Sequence, residues 1–322
     1  MTTTPTSTRH LVAPELVEGI DTFPNMDFSL GLDLIRGGMV DREMPPMPPG
    51  LDAVNCEEVF IPGLNGAPDV RLLVYTPPGD AAAPRPAVCH IHGGGYVMGD
   101  ADMSDISNRA MALQIGCVIV SVDYRLAPET RWPGALEDCY AGLCWMADNA
   151  GDLGIDKARI AIAGESAGGG HAAALAIYAR DRGGPAICFQ LLEYPMLDDR
   201  TGATSEPHPY VGEFVWTPDK NVFGWQALLG VEPGGPAVRD EMVPARTKDL
   251  SGLPPCFISV GALDLFLEEN LEYIRRLTRV GVPAELYVLP GAYHGYGVAG
   301  MSPQLERNMM LRNEALARAF GG

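Results

Sequence analysis

The stretch Ile160-Ala161-Ile162-Ala163-Gly164-Glu165-Ser166-Ala167-Gly168-Gly169 joins a short apolar run to a turn of small residues around a serine, and it opens an Ala-rich segment reaching Arg180. An apolar run of this length, bounded by glycine, reads as a central strand covered on both faces. The segment over 169–180 reads as a helix. A Gly-x-Ser-x-Gly pattern between strand and helix puts the serine on a sharp, strained turn. Side chains two before and two after it would strike the neighbouring strand and helix, so Gly164 and Gly168 belong there. The Ser166 hydroxyl is pushed into the open, where the new helix aims its first backbone N–H groups.

Outward from this turn, short apolar runs alternate with longer helical patterns from about residue 54 onward. The strand candidates are 57–61, 70–75, 87–91, 118–123, 160–163, 188–194, 257–260 and 285–289. The alternation predicts an α/β fold with a mostly parallel sheet flanked by helices. Only Pro62-Gly63-Leu64-Asn65-Gly66-Ala67-Pro68 and Asp69 join the first two runs, too little chain for a crossover, so these two should form an antiparallel hairpin at the sheet edge. Residues 1–50 and 198–250 fit the alternation poorly and are expected outside the core formed by 51–197 and 251–322. There is no internal repeat and no linker between independent domains.

With 41 acidic against 23 basic residues the net charge is −18, which repels nucleic acid and anionic lipid surfaces alike. The acidic residues are scattered and read as a solvated surface. Seven cysteines, an odd number without a Cys-x-x-Cys pair and several inside apolar runs, read as buried free thiols. The first twenty residues lack a basic start, an apolar stretch and a small-residue cleavage site, and no segment has the length of a membrane span. A cytoplasmic location without membrane contact is the expectation.

A serine nucleophile needs a base, a carboxylate that orients the base, and donors for the developing oxyanion. His92-Gly93-Gly94-Gly95 follows the run 87–91, and its glycines let backbone N–H groups turn inward, so Gly93 and Gly94, with Ala167 after the serine, are the candidate donors. His90 and His92 share a strand face, a pattern that also suits a metal, but no acidic or cysteine third ligand stands at metal spacing. No metal and no cofactor are expected, and His92 should brace the glycine loop through a hydrogen bond. In folds of this kind the order is serine, acid, histidine. Asp264 follows the run 257–260 and His294 follows 285–289; of the six histidines only His294 stands beyond a late strand. Glu268 and Glu269 compete with Asp264 but fall within a helical pattern over 267–280. Asp264 also suits the N-cap of that helix, and the two roles are compatible.

Together, His92-Gly93-Gly94-Gly95, Asp123-Tyr124-Arg125-Leu126-Ala127-Pro128-Glu129, Gly164-Glu165-Ser166-Ala167-Gly168-Gly169 and His294-Gly295-Tyr296 resemble the hormone-sensitive-lipase-like esterases, bacterial lipolytic family IV. The resemblance implies an α/β-hydrolase fold with an eight-stranded sheet and a helical cap made from the N-terminal segment and an insertion after the sixth strand. It also implies hydrolysis of short- to medium-chain esters. The two misfitting regions suit that cap. Asp264-Leu265-Phe266-Leu267-Glu268-Glu269 stands where the family has Asp-Pro-Leu-Arg-Asp-Glu, and Glu165 replaces the usual Asp before the nucleophile. Glu165 keeps a carboxylate with a longer reach, in support of the loop. In the motif over 123–129, Asp123 and Arg125 are expected to pair and Pro128 to fix the turn.

The expected partner is a small ester, with Tyr96, Phe214, Trp216, Leu265 and Tyr296 as candidate pocket residues and a homodimer as the candidate assembly. An aromatic in 210–225 reads more readily as cap core than as substrate wall. A binding module of this fold, as in plant gibberellin receptors, goes with loss of the triad histidine, whereas His294 is present. Lipase, amidase and acyltransferase reactions use the same triad and stay open at this point.

Overall fold

The structure, a computed structural model, describes residues 7–22, 27–40, 46–79 and 83–321. Its centre is one sheet of eight strands: β1 (Asn55–Ile61), β2 (Val70–Thr76), β3 (Arg85–Ile91), β4 (Val118–Asp123), β5 (Ile155–Glu165), β6 (Phe189–Glu193), β7 (Cys256–Gly261) and β8 (Ala284–Leu289). Their order across the sheet is β1-β2-β4-β3-β5-β6-β7-β8. β2 runs antiparallel to β1 and β4, and every other neighbour pair is parallel. The hairpin therefore lies at the edge, where a short connection puts it.

The helices are α1 (Val17–Thr22), α2 (Leu32–Val40), α3 (Asp105–Ile115), α4 (Gly134–Asp148), α5 (Ala167–Arg182), α6 (Pro218–Leu229), α7 (Leu267–Arg279) and α8 (Pro303–Ala319). Strand side chains alternate between two cores. Leu72, Val74, Cys89, Ile91, Ile160 and Ile162 pack on one face with α4, α5 and α7, among them Leu143, Leu175 and Leu277. Leu73, Tyr75, Val88, Ala161 and Ala163 pack on the other with Met111 of α3 and Leu316 of α8. Burial on both faces is why the central strands are almost entirely apolar. Each buried aliphatic side chain contributes about 1.5–3 kcal/mol.

After β3 the chain crosses outward to β4 and then returns past β3 to β5. The crevice beyond the strand C-termini at such a reversal is where open α/β sheets bind ligands, and the loop after β3 and the turn after β5 both open onto it. The described residues of the two irregular segments gather over these ends. Phe28, Leu32 and Ile35 pack on a cluster that joins Trp216, Trp225 and Leu228 to Tyr96 and Phe266. Val12 and Leu16 pack with Phe214, Leu289 and Tyr293. Arg36 of α2 donates to the carbonyl of Val97 at 2.7 Å and of Ala127 at 2.8 Å, and pairs with Glu129 at 2.8 Å. Among the described residues no helix is long and apolar enough to cross a membrane.

Two expectations are corrected. Asp123 and Arg125 do not pair: Asp123 receives Arg71 at 3.2 Å and the Ala101 N–H at 3.2 Å, whereas Arg125 binds Asp138 at 2.7 Å. The chain leaves β4 between them, so Arg125 faces α4 while Asp123 stays at the strand tip. The fifth strand also begins earlier than its apolar run, at Ile155, through the charged residues Asp156, Lys157 and Arg159, with a register shift against β3. Cys89, Cys117, Cys139 and Cys256 are buried, Cys56, Cys144 and Cys188 partly so, and all seven are free thiols.

Candidate active site

Ser166 stands between β5 and α5 with φ 55 and ψ −120. A side chain at positive φ is strained, by about 1–3 kcal/mol. Its main chain is pinned on both sides: the N–H donates to the Glu193 carbonyl at 2.9 Å, and the carbonyl accepts from Gly170 at 3.0 Å and Met196 at 2.9 Å. A Cβ at Gly164 would stand 2.5 Å from the Gly168 carbonyl carbon, and one at Gly168 would strike the carbonyl oxygens of Ile91 and His92. Both glycines are thus required by close backbone approach.

The Ser166 hydroxyl lies 2.8 Å from His294 Nε2, and His294 Nδ1 lies 2.9 Å from Asp264 Oδ2. Nδ1–H donates to the carboxylate, which leaves Nε2 as the acceptor for the serine proton. Asp264 Oδ1 accepts the Phe266 N–H at 2.9 Å just before α7, so the aspartate also steadies the approach to that helix. Exposure falls along the line, from 8% at Ser166 through 5% at His294 to 0% at Asp264. The rings of Tyr194 and Phe266 meet the imidazole in T-shaped contacts, each at 5.0 Å. Of the rival carboxylates, Glu268 is exposed. Glu269 turns away to accept from Leu197 N–H at 2.6 Å and the Thr201 hydroxyl at 2.5 Å. Burial pushes its carboxyl well above the usual range, with Asp198 adding to the effect.

Gly93 runs alongside the serine: a Cβ there would lie 3.5 Å from Ser166 Cβ. Gly94 has φ 123, a conformation open to glycine. Among the described residues, nothing accepts a hydrogen bond from the backbone N–H of Gly93, Gly94 or Ala167. His92 Nδ1–H donates to the Gly93 carbonyl at 2.7 Å, its ring stacks on Tyr124 at 4.2 Å, and burial lowers its pKa so that it stays neutral. His90 meets Ser121 at 3.0 Å and Glu165 at 3.1 Å. Burial would raise the Glu165 carboxyl, but His90 and Arg312 together bring it net below the ordinary value.

The five expected pocket residues separate. The Trp216 ring is 6.3 Å from that of His294. Tyr96 follows the glycine loop with its hydroxyl on the Met196 carbonyl at 3.0 Å, and Leu265 packs beside Gly212. Phe214 packs on Tyr293 at 6.0 Å, and Tyr296 packs on Tyr194, which borders His294, with its hydroxyl accepting from Asn308 at 3.0 Å. Sequence reasoning missed Glu193 and Arg312, a buried ion pair beneath the Ser166 turn. A carboxylate closing a wholly buried strand, 189–193, was the available signal.

A family model described as alpha/beta hydrolase fold matches residues 88–298, which span the glycine loop, the serine turn and both late loops. The chain belongs to the alpha/beta hydrolase family. The hydrolase is 36% identical over 298 residues to Esterase LipI of Mycobacterium tuberculosis, covering 91% of this chain and 90% of that protein. It is 37% identical over 302 residues to Carboxylesterase NlhH of the same species, covering 91% of each. Among solved structures it superposes on "Bacterial Heroin Esterase" with a TM-score of 0.87 at 36% identity, over 97% of this chain and 99% of that one.

Proposed function

We propose that this hydrolase cleaves carboxylic esters through Ser166, His294 and Asp264. The observation that carries the reading is the unbroken line from Ser166 Oγ to His294 Nε2 at 2.8 Å and from His294 Nδ1 to Asp264 at 2.9 Å. His294 takes the serine proton as Oγ attacks the ester carbonyl, and Asp264 stabilises the imidazolium. The carbonyl oxygen becomes an oxyanion held by the N–H groups of Gly93, Gly94 and Ala167, each such donor worth about 100- to 1000-fold in rate. His294 then gives its proton to the leaving alkoxide, the acyl group stays on Ser166, and water activated by the same imidazole releases the acid. His92 and Glu165 support the loops, and the reaction calls on no metal or cofactor.

The segments before 51 and over 198–250 form the cap of this reading, and short- to medium-chain esters are its substrates. Seven free thiols support a reducing compartment such as the cytoplasm. Diethyl p-nitrophenyl phosphate tests the reading directly. It should phosphorylate one residue per chain, Ser166 by peptide mass, and abolish p-nitrophenyl acetate hydrolysis in proportion. Label elsewhere, or full labelling with activity retained, contradicts it.

A further inference from the structure

Between β6 and β7, Val215 has φ 63. A β-branched residue at positive φ is a genuine outlier and persists only where its surroundings over-determine it. Here they do. Trp216 N–H donates to the Phe214 carbonyl at 2.7 Å, which closes a three-residue γ-turn around Val215. Lys220 Nζ donates to the Val215 carbonyl at 2.9 Å. Trp216 Nε1–H donates to Asn221 Oδ1 at 3.2 Å, and Asn221 in turn donates to the Thr201 carbonyl at 2.8 Å. The indole is therefore fixed at its backbone and at its ring nitrogen.

The turn stands over the reacting groups. Val215 Cγ1 lies 3.8 Å from where a Cβ of Gly295 would be, next in chain to His294. Trp216 fills the space beside Gly95, next in chain to the candidate oxyanion donors, so that a Cβ there would collide with the indole. One strained turn thus reaches from the loop of the base to the loop of the oxyanion. In an ester attacked by Ser166 the carbonyl oxygen goes to the glycine loop and the leaving oxygen to His294 Nε2. The remaining substituent on that carbon is the acyl chain, and the interval left for it is the one the turn spans. Strained backbone of this kind clusters at active sites and ligand clamps.

We propose that the Phe214-Val215-Trp216 turn is the roof of the acyl pocket and that Trp216 makes this hydrolase favour the short end of the short- to medium-chain range, acetyl and propionyl over hexanoyl and longer groups. The proposal rests on the ester-hydrolase reading above. Its test is kcat/KM for p-nitrophenyl acetate, propionate, butyrate, hexanoate and octanoate, with acetates of alcohols of increasing size as a second series. The wild-type chain should lose at least about tenfold between propionate and hexanoate, since each methylene without a place is worth roughly that factor. Trp216→Ala should raise the hexanoate-to-acetate ratio by about tenfold or more and leave the order of the alcohol series unchanged. Val215→Gly, which relaxes the turn while keeping the indole, should move the ratio in the same direction, and Trp216→Leu gives the same reading if the alanine variant does not fold. A flat wild-type acyl series, an unchanged ratio in the folded variants, or a gain confined to the alcohol series overturns the proposal. Failure of the ester-hydrolase reading looks different: turnover would then not depend on Ser166 at all.

Discussion

Glu193 holds Arg312 with its carboxylate and Ser166 with its backbone: the guanidinium forms a buried ion pair, and the main-chain carbonyl accepts the Ser166 N–H at 2.9 Å. The C-terminal helix is thereby tied to the turn that carries the candidate nucleophile. Two carboxylates, Glu165 and Glu193, stand in register on neighbouring strands, and Arg312 offsets the charge of both.

Removing one partner of a buried ion pair leaves a charge without compensation, at a cost of about 3–5 kcal/mol. Arg312→Met should destabilise the chain by that amount in urea unfolding, and adding Glu193→Gln should recover part of the loss. Equal stability of wild type and Arg312→Met would show that the pair carries no weight.

Asp264 and Glu269 make opposite predictions. Asp264→Asn removes the acceptor that fixes the His294 tautomer, and kcat should fall by about 10⁴-fold with the fold intact. Glu269→Gln replaces a carboxyl that burial already favours in its neutral form, 2.6 Å from the Leu197 N–H and turned away from His294, so kcat should stay within a few-fold of wild type. Steady-state kinetics on p-nitrophenyl acetate decide; a collapse in the glutamine variant with activity kept in the asparagine variant would exchange the two roles.

His171 of α5 is buried between Tyr96 and Tyr124, and burial pushes its pKa down from 6.5 to about 3. The folded chain keeps this ring neutral while the unfolded chain protonates it below about 6.5. Stability is therefore whole above pH 6.5 and falls, by up to about 1.4 kcal/mol per pH unit, as the pH drops toward 3. His171→Phe removes the site. Thermal unfolding between pH 7 and 4 should show wild type losing stability faster than the variant; parallel curves would assign the acid lability elsewhere.

All eight strands, the edge hairpin and the serine turn were legible in the sequence, because each depends on local physics: apolar runs, glycines at close approaches and a connection too short for a crossover. Asp264 and His294 could be singled out as candidates because few titratable side chains stand beyond a late strand tip, and the structure brings both into line with Ser166. Partnerships across long separations were not legible. Arg125 turned to Asp138, Arg71 took Asp123, and Arg312 reached back 119 residues to Glu193, since charge alone does not say which helix will face which strand. Val215 was equally hidden, as nothing local makes a valine adopt positive φ; the contacts of Lys220 and Asn221 impose it.

Ser166 as the nucleophile is tested by kcat/KM for p-nitrophenyl acetate in Ser166→Ala, with the fold verified by an unchanged Tm. A loss of about 10³-fold or more, with no burst of p-nitrophenol, is the predicted result. Turnover within a few-fold of wild type in the folded variant would contradict it.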